Sequence, residues 1–377
     1  MSLSSRPVVH LIGLGSMGAI FAADLLNYTN ASIIPIFRSK EKLAKFQNEA
    51  NSELMIHRNY LPSRPILKYK FAKAYCPEST INEPFKNLVV STKTFQTKSA
   101  LTPYLKYIDS NTNLLLIQNG LGVLDDLKND VFIDETRRPQ LFQGVITHGG
   151  SQISDFTINN SSQGDLKISR LPWNQDRMIQ KSCVLKEDRN ENELMHLLTS
   201  ETMVKGFNIT HMTYQELLFS QLYKFVFNCC INPVTAILDC SIGEMKPNST
   251  PLLTSIVVET LFVLRKAFSP LFQYESMYNG QEDYPAIDVN GKLSTDYMVG
   301  ELLKYLEKHK NSSSSMREDA VHLRNTEIDY INGYVVRLAN ALGLSTESTK
   351  VNKTICELLN LRLGLNKVRS LNKIQGT

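Results

Sequence analysis

At 377 residues with 42% hydrophobic content, the chain is long enough to bury a substantial core and to divide into two domains. Its 41 basic and 37 acidic side chains leave a net charge of +4 with no polybasic run interleaved with aromatics, which argues against nucleic acid as a partner. No apolar stretch is long enough to span a bilayer, and a first strand starting by residue 7 leaves no room for a signal peptide. A cytoplasmic protein with no membrane partner is therefore expected, a mitochondrial pool staying open.

Residues 7–12, PVVHLI, form a short apolar run that leads into Gly13-Leu14-Gly15-Ser16-Met17-Gly18 and then into the helical pattern AIFAADLLNY. GxGxxG between a strand and a helix is a dinucleotide fingerprint. Gly13 serves the tight turn, Gly15 lets backbone amides approach a pyrophosphate, and Gly18 allows the helix to pack closely on the strand. The helix start then offers N–H groups and a favourable dipole to the anion.

The next strand, 32–37, ends at Arg38, twenty positions after Gly18. A carboxylate near this point would select a ribose 2′-hydroxyl, whereas an arginine suits a 2′-phosphate, so Arg38 with Ser39 and Lys40 points to NADPH. Further apolar runs at FKNLVVSTK, TNLLLIQ and QLFQGVITHG alternate with helical patterns, which predicts a parallel sheet with crossover helices. Two polar motifs, Ser91 to Gln96 and Gln118 to Gly122, fall at strand carboxyl ends, where such sheets bind ligands. Residues 151–172 read as a hairpin, and 174–192 as a charged, exposed insertion.

After Tyr214 the pattern turns helical to the end, interrupted by a loop-rich stretch at 272–298. In QLYKFVFNCCINPVTAIL, residues 221–238, Lys224, Asn228 and Asn232 stand four apart, so they share one helix face while the helix lasts. The stripe reads either as the wall of a polar pocket or as a solvated helix edge. Asn232-Pro233 is expected to disrupt or kink the helix.

The run at 311–315 precedes a strongly periodic helix, MREDAVHLRNTEIDYINGYVVRLANALG, closed by Gly343. Ser315 and Glu318 have capping-box spacing, and Glu327 lies three turns farther along. The six cysteines include no CxxC pair and the histidines are scattered, so reduced thiols and no metal site are expected. His148 reads as structural.

These residues together resemble the ketopantoate reductase (2-dehydropantoate 2-reductase) family, closest to its fungal members. The resemblance rests on GLGSMG, the Arg38 position, KTFQ, QNGLG, KFVFNCCINPVTA, and SSM followed by TEIDYING, and spans nearly the whole chain. It implies an α/β Rossmann-type N-terminal domain and an all-α C-terminal domain with 6-phosphogluconate dehydrogenase-like architecture, placed at 1–211 and 212–377, with the active site in the cleft between them. It also implies NADPH-dependent reduction of 2-dehydropantoate to (R)-pantoate, on the way to pantothenate and coenzyme A.

By motif, Lys224 corresponds to the general acid and Glu327 to the carboxylate that helps hold substrate and lysine. Asn119, Asn228, Asn232 and Ser315 correspond to substrate-binding residues. Gly13, Leu14, Gly15, Ser16, Met17, Gly18, Arg38, Lys93, Gln96, Asn119 and Glu327 correspond to cofactor contacts. The family has an asparagine three residues before the SSM serine; here that position is Ser312, with Asn311 one residue earlier. Three alternatives remain: a related NAD(P)-dependent 2-oxo or 3-hydroxy acid dehydrogenase, a non-catalytic NADPH-responsive regulatory protein, and a structural scaffold, which would leave both polar constellations without purpose. Lys224 together with Glu327 counts against the second. Oligomeric state stays open.

Overall fold

The apolar runs of the first half become β1 (Val8–Ile12), β2 (Ser32–Ile36), β3 (Glu53–Arg58), β4 (Ile66–Lys70), β5 (Asn87–Val90), β6 (Asn113–Ile117), β7 (Gln140–Ile146), β8 (Gly149–Ser154), β9 (Thr157–Ser162), β10 (Leu166–Arg170) and β11 (Ile209–His211). This computed structural model describes residues 6–174 and 178–375. The chain divides into two units, Met1–Asn119 with Val123–Leu217, and Gly120–Gly122 with Leu218–Thr377.

In the first unit, seven strands form a sheet in the order β11-β10-β7-β6-β5-β1-β2. From β2 to β7 all neighbours are parallel; β10 joins β7 antiparallel. Every residue of β5 and β6 is buried, as expected where a parallel sheet is covered on both faces. The chain leaves β1 for β2 on one side and returns to β5 on the other, so the sequence reverses direction between β1 and β5. That reversal is where open α/β sheets bind ligands.

A second sheet, β4-β3-β9-β8, was not anticipated from the sequence. Its buried side chains Leu54, Ile56 and Ile158 join the core formed by Ile20 and Phe21 of the helix Ser16–Tyr28. The expected hairpin over 151–172 is corrected accordingly: β9 pairs with β8 and β3, whereas β10 belongs to the first sheet. Alternation identifies a strand but not its neighbour. Behind the same helix, Arg58 donates twice to Asp24, Nη1 to Oδ2 at 3.0 Å and Nη2 to Oδ1 at 2.5 Å, with both residues 4% exposed.

The insertion at 174–192, of which residues 175–177 lie outside the described residues, is mostly exposed but is held by a buried carboxylate. Its helix Val184–Glu191 buries Asp188, which accepts from Arg170 Nε at 2.6 Å and lies 3.2 Å from His211 Nε2. An acidic side chain that reads as solvated is here the anchor of the segment.

His10 packs against Phe85 with tilted rings and His148 stacks on Phe207, ring centroids 4.2 Å apart in each case. Burial depresses both imidazoles from 6.5 to about 4. Across that window the unfolded chain takes up a proton that the folded chain refuses, so the contribution of these two histidines to stability is full above pH 6.5 and falls as the pH drops toward 4. Each histidine accounts for about 3 kcal/mol of that fall. Urea denaturation at pH 7.5 and 4.5 should show a smaller acid loss for His148→Phe than for wild type; equal losses would show that the ring takes its proton in the fold.

The second unit is helical among its described residues. It continues the long helix Tyr214–Leu238 and adds Thr250–Ala267, Ser269–Tyr278, Val289–Lys292, Thr295–Lys308, Ser315–Val321, Asn332–Ala341 and Lys350–Gln375. Leu222, Val226, Ile256, Val257, Val335 and Leu359 are fully buried within it. The stretch 272–298 is more helical than expected, with its loop confined between Tyr278 and Val289. Asn279 ties that loop by pairing with both the N–H and the carbonyl of Ile287, each at 3.2 Å. No helix among the described residues is long and apolar enough to cross a membrane.

Candidate active site

In the first unit, Gly13 follows β1 with φ +100°, and a side chain there would meet Thr92 N at 2.7 Å. Gly18 is equally constrained, because a Cβ would lie 2.0 Å from Gly13 O. Ser91, just after β5, holds the turn by donating its hydroxyl to Gly13 O at 2.5 Å. A Cβ on Gly15, by contrast, would meet nothing within 4 Å, and Gly15 caps the helix Ser16–Tyr28 without a side-chain hydrogen bond. The helix start is thus open on the side where a pyrophosphate would lie, with first-turn amides that have no intrahelical acceptor. The residues present fit a dinucleotide.

The other predicted residues of this unit gather at the carboxyl ends of neighbouring strands. Arg38 is exposed after β2, and Ser39 caps the next helix by accepting from Lys42 N at 3.4 Å. Half-buried Lys93 and exposed Gln96 flank a short turn after β5, and half-buried Asn119 follows β6. The two loops are tied to each other: Gln118 Nε2 donates to Thr92 O at 2.9 Å and to Thr97 Oγ1 at 2.6 Å, and Thr94 Oγ1 donates to Asn119 O at 2.5 Å. Gln118, Thr94 and Ser91 lie in the two polar motifs read from the sequence, but their part in tying the loops together was not assigned there; hydrogen bonds to a distant backbone leave no local pattern.

In the second unit, Lys224, Asn228 and Asn232 are all half-buried along the long helix, beside fully buried Val226, Cys229 and Cys230. Burial pushes both cysteine thiols up, so they stay protonated and unreactive. The helix does not end at Asn232-Pro233 but runs through to Leu238. Beyond the proline, Thr235 donates back to Ile231 O at 2.8 Å while its oxygen lies 2.7 Å from Ser314 Oγ.

That contact also corrects the capping assignment. Ser314, not Ser315, caps the helix Ser315–Val321, accepting from Arg317 N at 3.1 Å. Ser315 is left exposed at the first helical position, and Asn311 and Ser312 are exposed beside it.

Glu327 is not on a continuous helix. The chain breaks after Val321: Leu323 takes φ +57°, Arg324 N bonds to Asp319 O at 2.8 Å, and Arg324 Nε pairs with buried Asp319 at 3.0 Å. Glu327 then lies buried in a turn ahead of the helix Asn332–Ala341. Gly120–Gly122 group with this segment, with Leu121 N donating to Tyr330 O at 3.2 Å. Gly120, at φ +82°, tolerates no side chain, because a Cβ would lie 2.6 Å from that carbonyl. Among the described residues, no cluster of three or more His, Cys, Asp or Glu side chains could hold a metal ion.

Residues 9–173 match the family described as ketopantoate reductase PanE/ApbA, and residues 216–362 match its C-terminal region. The chain is 51% identical over 373 residues to the 2-dehydropantoate 2-reductase of Saccharomyces cerevisiae, covering 99% of this chain and 98% of that one. It is 34% identical over 378 residues to the probable 2-dehydropantoate 2-reductase of Schizosaccharomyces pombe, covering 96% and 98%. Among solved structures, D-mandelate dehydrogenase with NADH and anilino(oxo)acetate aligns with a TM-score of 0.70 at 17% identity, covering 96% of this chain and 99% of that one. A putative 2-dehydropantoate 2-reductase from Enterococcus faecalis aligns with a TM-score of 0.61 at 18% identity, covering 95% and 99%. The structural likeness is one of fold.

Proposed function

This chain belongs to the ketopantoate reductase family, and on that premise we propose that it reduces the ketone of 2-dehydropantoate to (R)-pantoate with NADPH, in the cytoplasm. The observation that carries this reading is the amine and two carboxamides of Lys224, Asn228 and Asn232, aligned on one half-buried helix face. Six unpaired cysteines suit a reducing compartment.

Bound nicotinamide supplies the hydride. As charge develops on the ketone oxygen, the Lys224 ammonium stabilises it and then gives up a proton, leaving a neutral amine and the alcohol. Asn228 and Asn232 hold the substrate by hydrogen bonds, and the Ser315 hydroxyl donates to its carboxylate. Buried Glu327 accepts from the substrate and keeps Lys224 oriented. In the first unit, the Gly13 to Gly18 loop receives the pyrophosphate and Arg38 pairs with the 2′-phosphate, while Lys93, Gln96 and Asn119 complete the cofactor contacts.

Steady-state oxidation of NADPH and NADH, measured with 2-dehydropantoate and a panel of other 2-oxo acids, tests the reading. Turnover confined to 2-dehydropantoate and favouring NADPH is expected, and Arg38→Asp should narrow or reverse the cofactor preference. Efficient turnover of a different acid would move the substrate assignment. Unaltered selectivity in Arg38→Asp would mean that the 2′-phosphate is read elsewhere.

A further inference from the structure

Pro233 lies inside the long helix and has no N–H to offer the Cys229 carbonyl four residues earlier. Cys229 is fully buried, so water cannot satisfy that acceptor. The donor comes from another part of the unit: Asn332 Nδ2 reaches the Cys229 carbonyl at 3.1 Å, and Asn332 is itself fully buried. The same amide nitrogen donates to Asn352 Oδ1 at 3.0 Å. Asn352 is fixed in turn by Glu259, whose Oε2 accepts from its Nδ2 at 2.9 Å and its backbone N at 3.0 Å.

The position of this bond in the chain matters more than its strength. Cys229 directly follows Asn228 and lies between Lys224 and Asn232, while Asn332 lies five residues after Glu327 on a segment that begins in an irregular turn. One buried hydrogen bond therefore ties the helix that carries the amine and both carboxamides to the segment that carries the carboxylate. An ordinary residue at 233 would close the carbonyl within the helix and remove the need for the tie.

We propose that Asn332 is a positioning residue: by occupying the carbonyl that Pro233 leaves open, it holds Glu327 in register with Lys224, Asn228 and Asn232. The role rests on the reductase reading above. Small displacements of groups that orient a reaction cost rate more than they cost binding of a distant cofactor moiety.

The test is a double-mutant cycle between Asn332→Ala and Pro233→Ala, read as kcat, KM and urea stability of the full chain. Pro233→Ala restores an N–H to the Cys229 carbonyl and should keep most of the activity. Asn332→Ala alone should lower kcat about tenfold, with the preference for NADPH over NADH, assigned to Arg38 in the first unit, unchanged. In the Pro233→Ala background the same change should cost less than about threefold, because the carbonyl then has its helical donor.

Loss of stability with unchanged kcat, or an equal loss of kcat in both backgrounds, overturns the role. Should Asn332→Ala fail to fold, recovery of a folded, active double variant supports the tie and failure of that variant overturns it. An inactive wild type refutes the reductase reading instead, and the positioning role falls with it.

Discussion

Lys224→Ala lowers kcat for 2-dehydropantoate by ~10²–10⁴-fold, the usual contribution of a general acid, and leaves NADPH binding unchanged. The expectation follows from where the side chain sits. Lys224 is half-buried on its helix, so its side chain is partly withdrawn from bulk water. Negative charge appearing on a ketone oxygen in such surroundings is costly unless a cation meets it, and the product alcohol needs a proton that an ammonium can give.

Lys224→Arg separates these two contributions. A guanidinium keeps the charge but does not release a proton at any working pH, so this variant should recover substrate binding without recovering turnover. Steady-state kinetics together with fluorescence titration of NADPH would decide the matter. Near-normal turnover in Lys224→Ala would remove the lysine from the role, and full activity in Lys224→Arg would show that charge alone suffices.

The features legible in the sequence share one property, which is that local chemistry determines them. GxGxxG requires glycine because Gly13 adopts φ +100° and Gly18 abuts Gly13 O, both short-range facts. The apolar runs of β5 and β6 read as covered parallel strands because each is buried on both faces. The Lys224, Asn228 and Asn232 stripe follows from helix geometry alone.

Most of what escaped the sequence is set by partners far along the chain, the turn at 319–324 being a local exception. Residues 312–315 are four serines in a row, each a good cap, and the choice of Ser314 depends on Thr235, 79 residues away. The periodicity of residues 316–343 is real, but Asp319 and Arg324 close a turn that interrupts it, so Glu327 lies in a turn and not on a helix. Pro233 reads as a helix breaker until Asn332 supplies the buried Cys229 carbonyl with a donor. The second sheet escaped for the same reason, since β3 finds a parallel partner about a hundred residues later in β9.

Asp24→Leu is expected to destabilise the first unit by about 3–5 kcal/mol, the cost of stranding a charge in a protein interior. Asp24 projects from the helix that opens the dinucleotide loop, and Arg58 reaches it from β3 with two hydrogen bonds. Burial dominates at Asp24, pushing its carboxyl above the ordinary range despite the adjacent guanidinium. The pair is therefore better understood as a lock than as a source of net stability. Replacing both partners, Asp24→Leu with Arg58→Met, should cost far less than Asp24→Leu alone.

The two single variants should also differ from each other. Arg58 cannot shed its proton, so Asp24→Leu pays in full at every pH. Arg58→Met leaves a carboxyl that can neutralise itself, and its folded pKa rises further above the unfolded value. A group shifted in that direction stabilises the fold at low pH and loses the effect as pH rises, so the penalty in Arg58→Met should shrink between pH 7.5 and pH 5. Urea denaturation of the three variants at both pH values checks each step, and loosening of the helix should appear as weaker NADPH binding. A cost for Asp24→Leu below about 1 kcal/mol, typical of an exposed ion pair, would mean that the Arg58 guanidinium finds water or another acceptor and that the lock lies elsewhere.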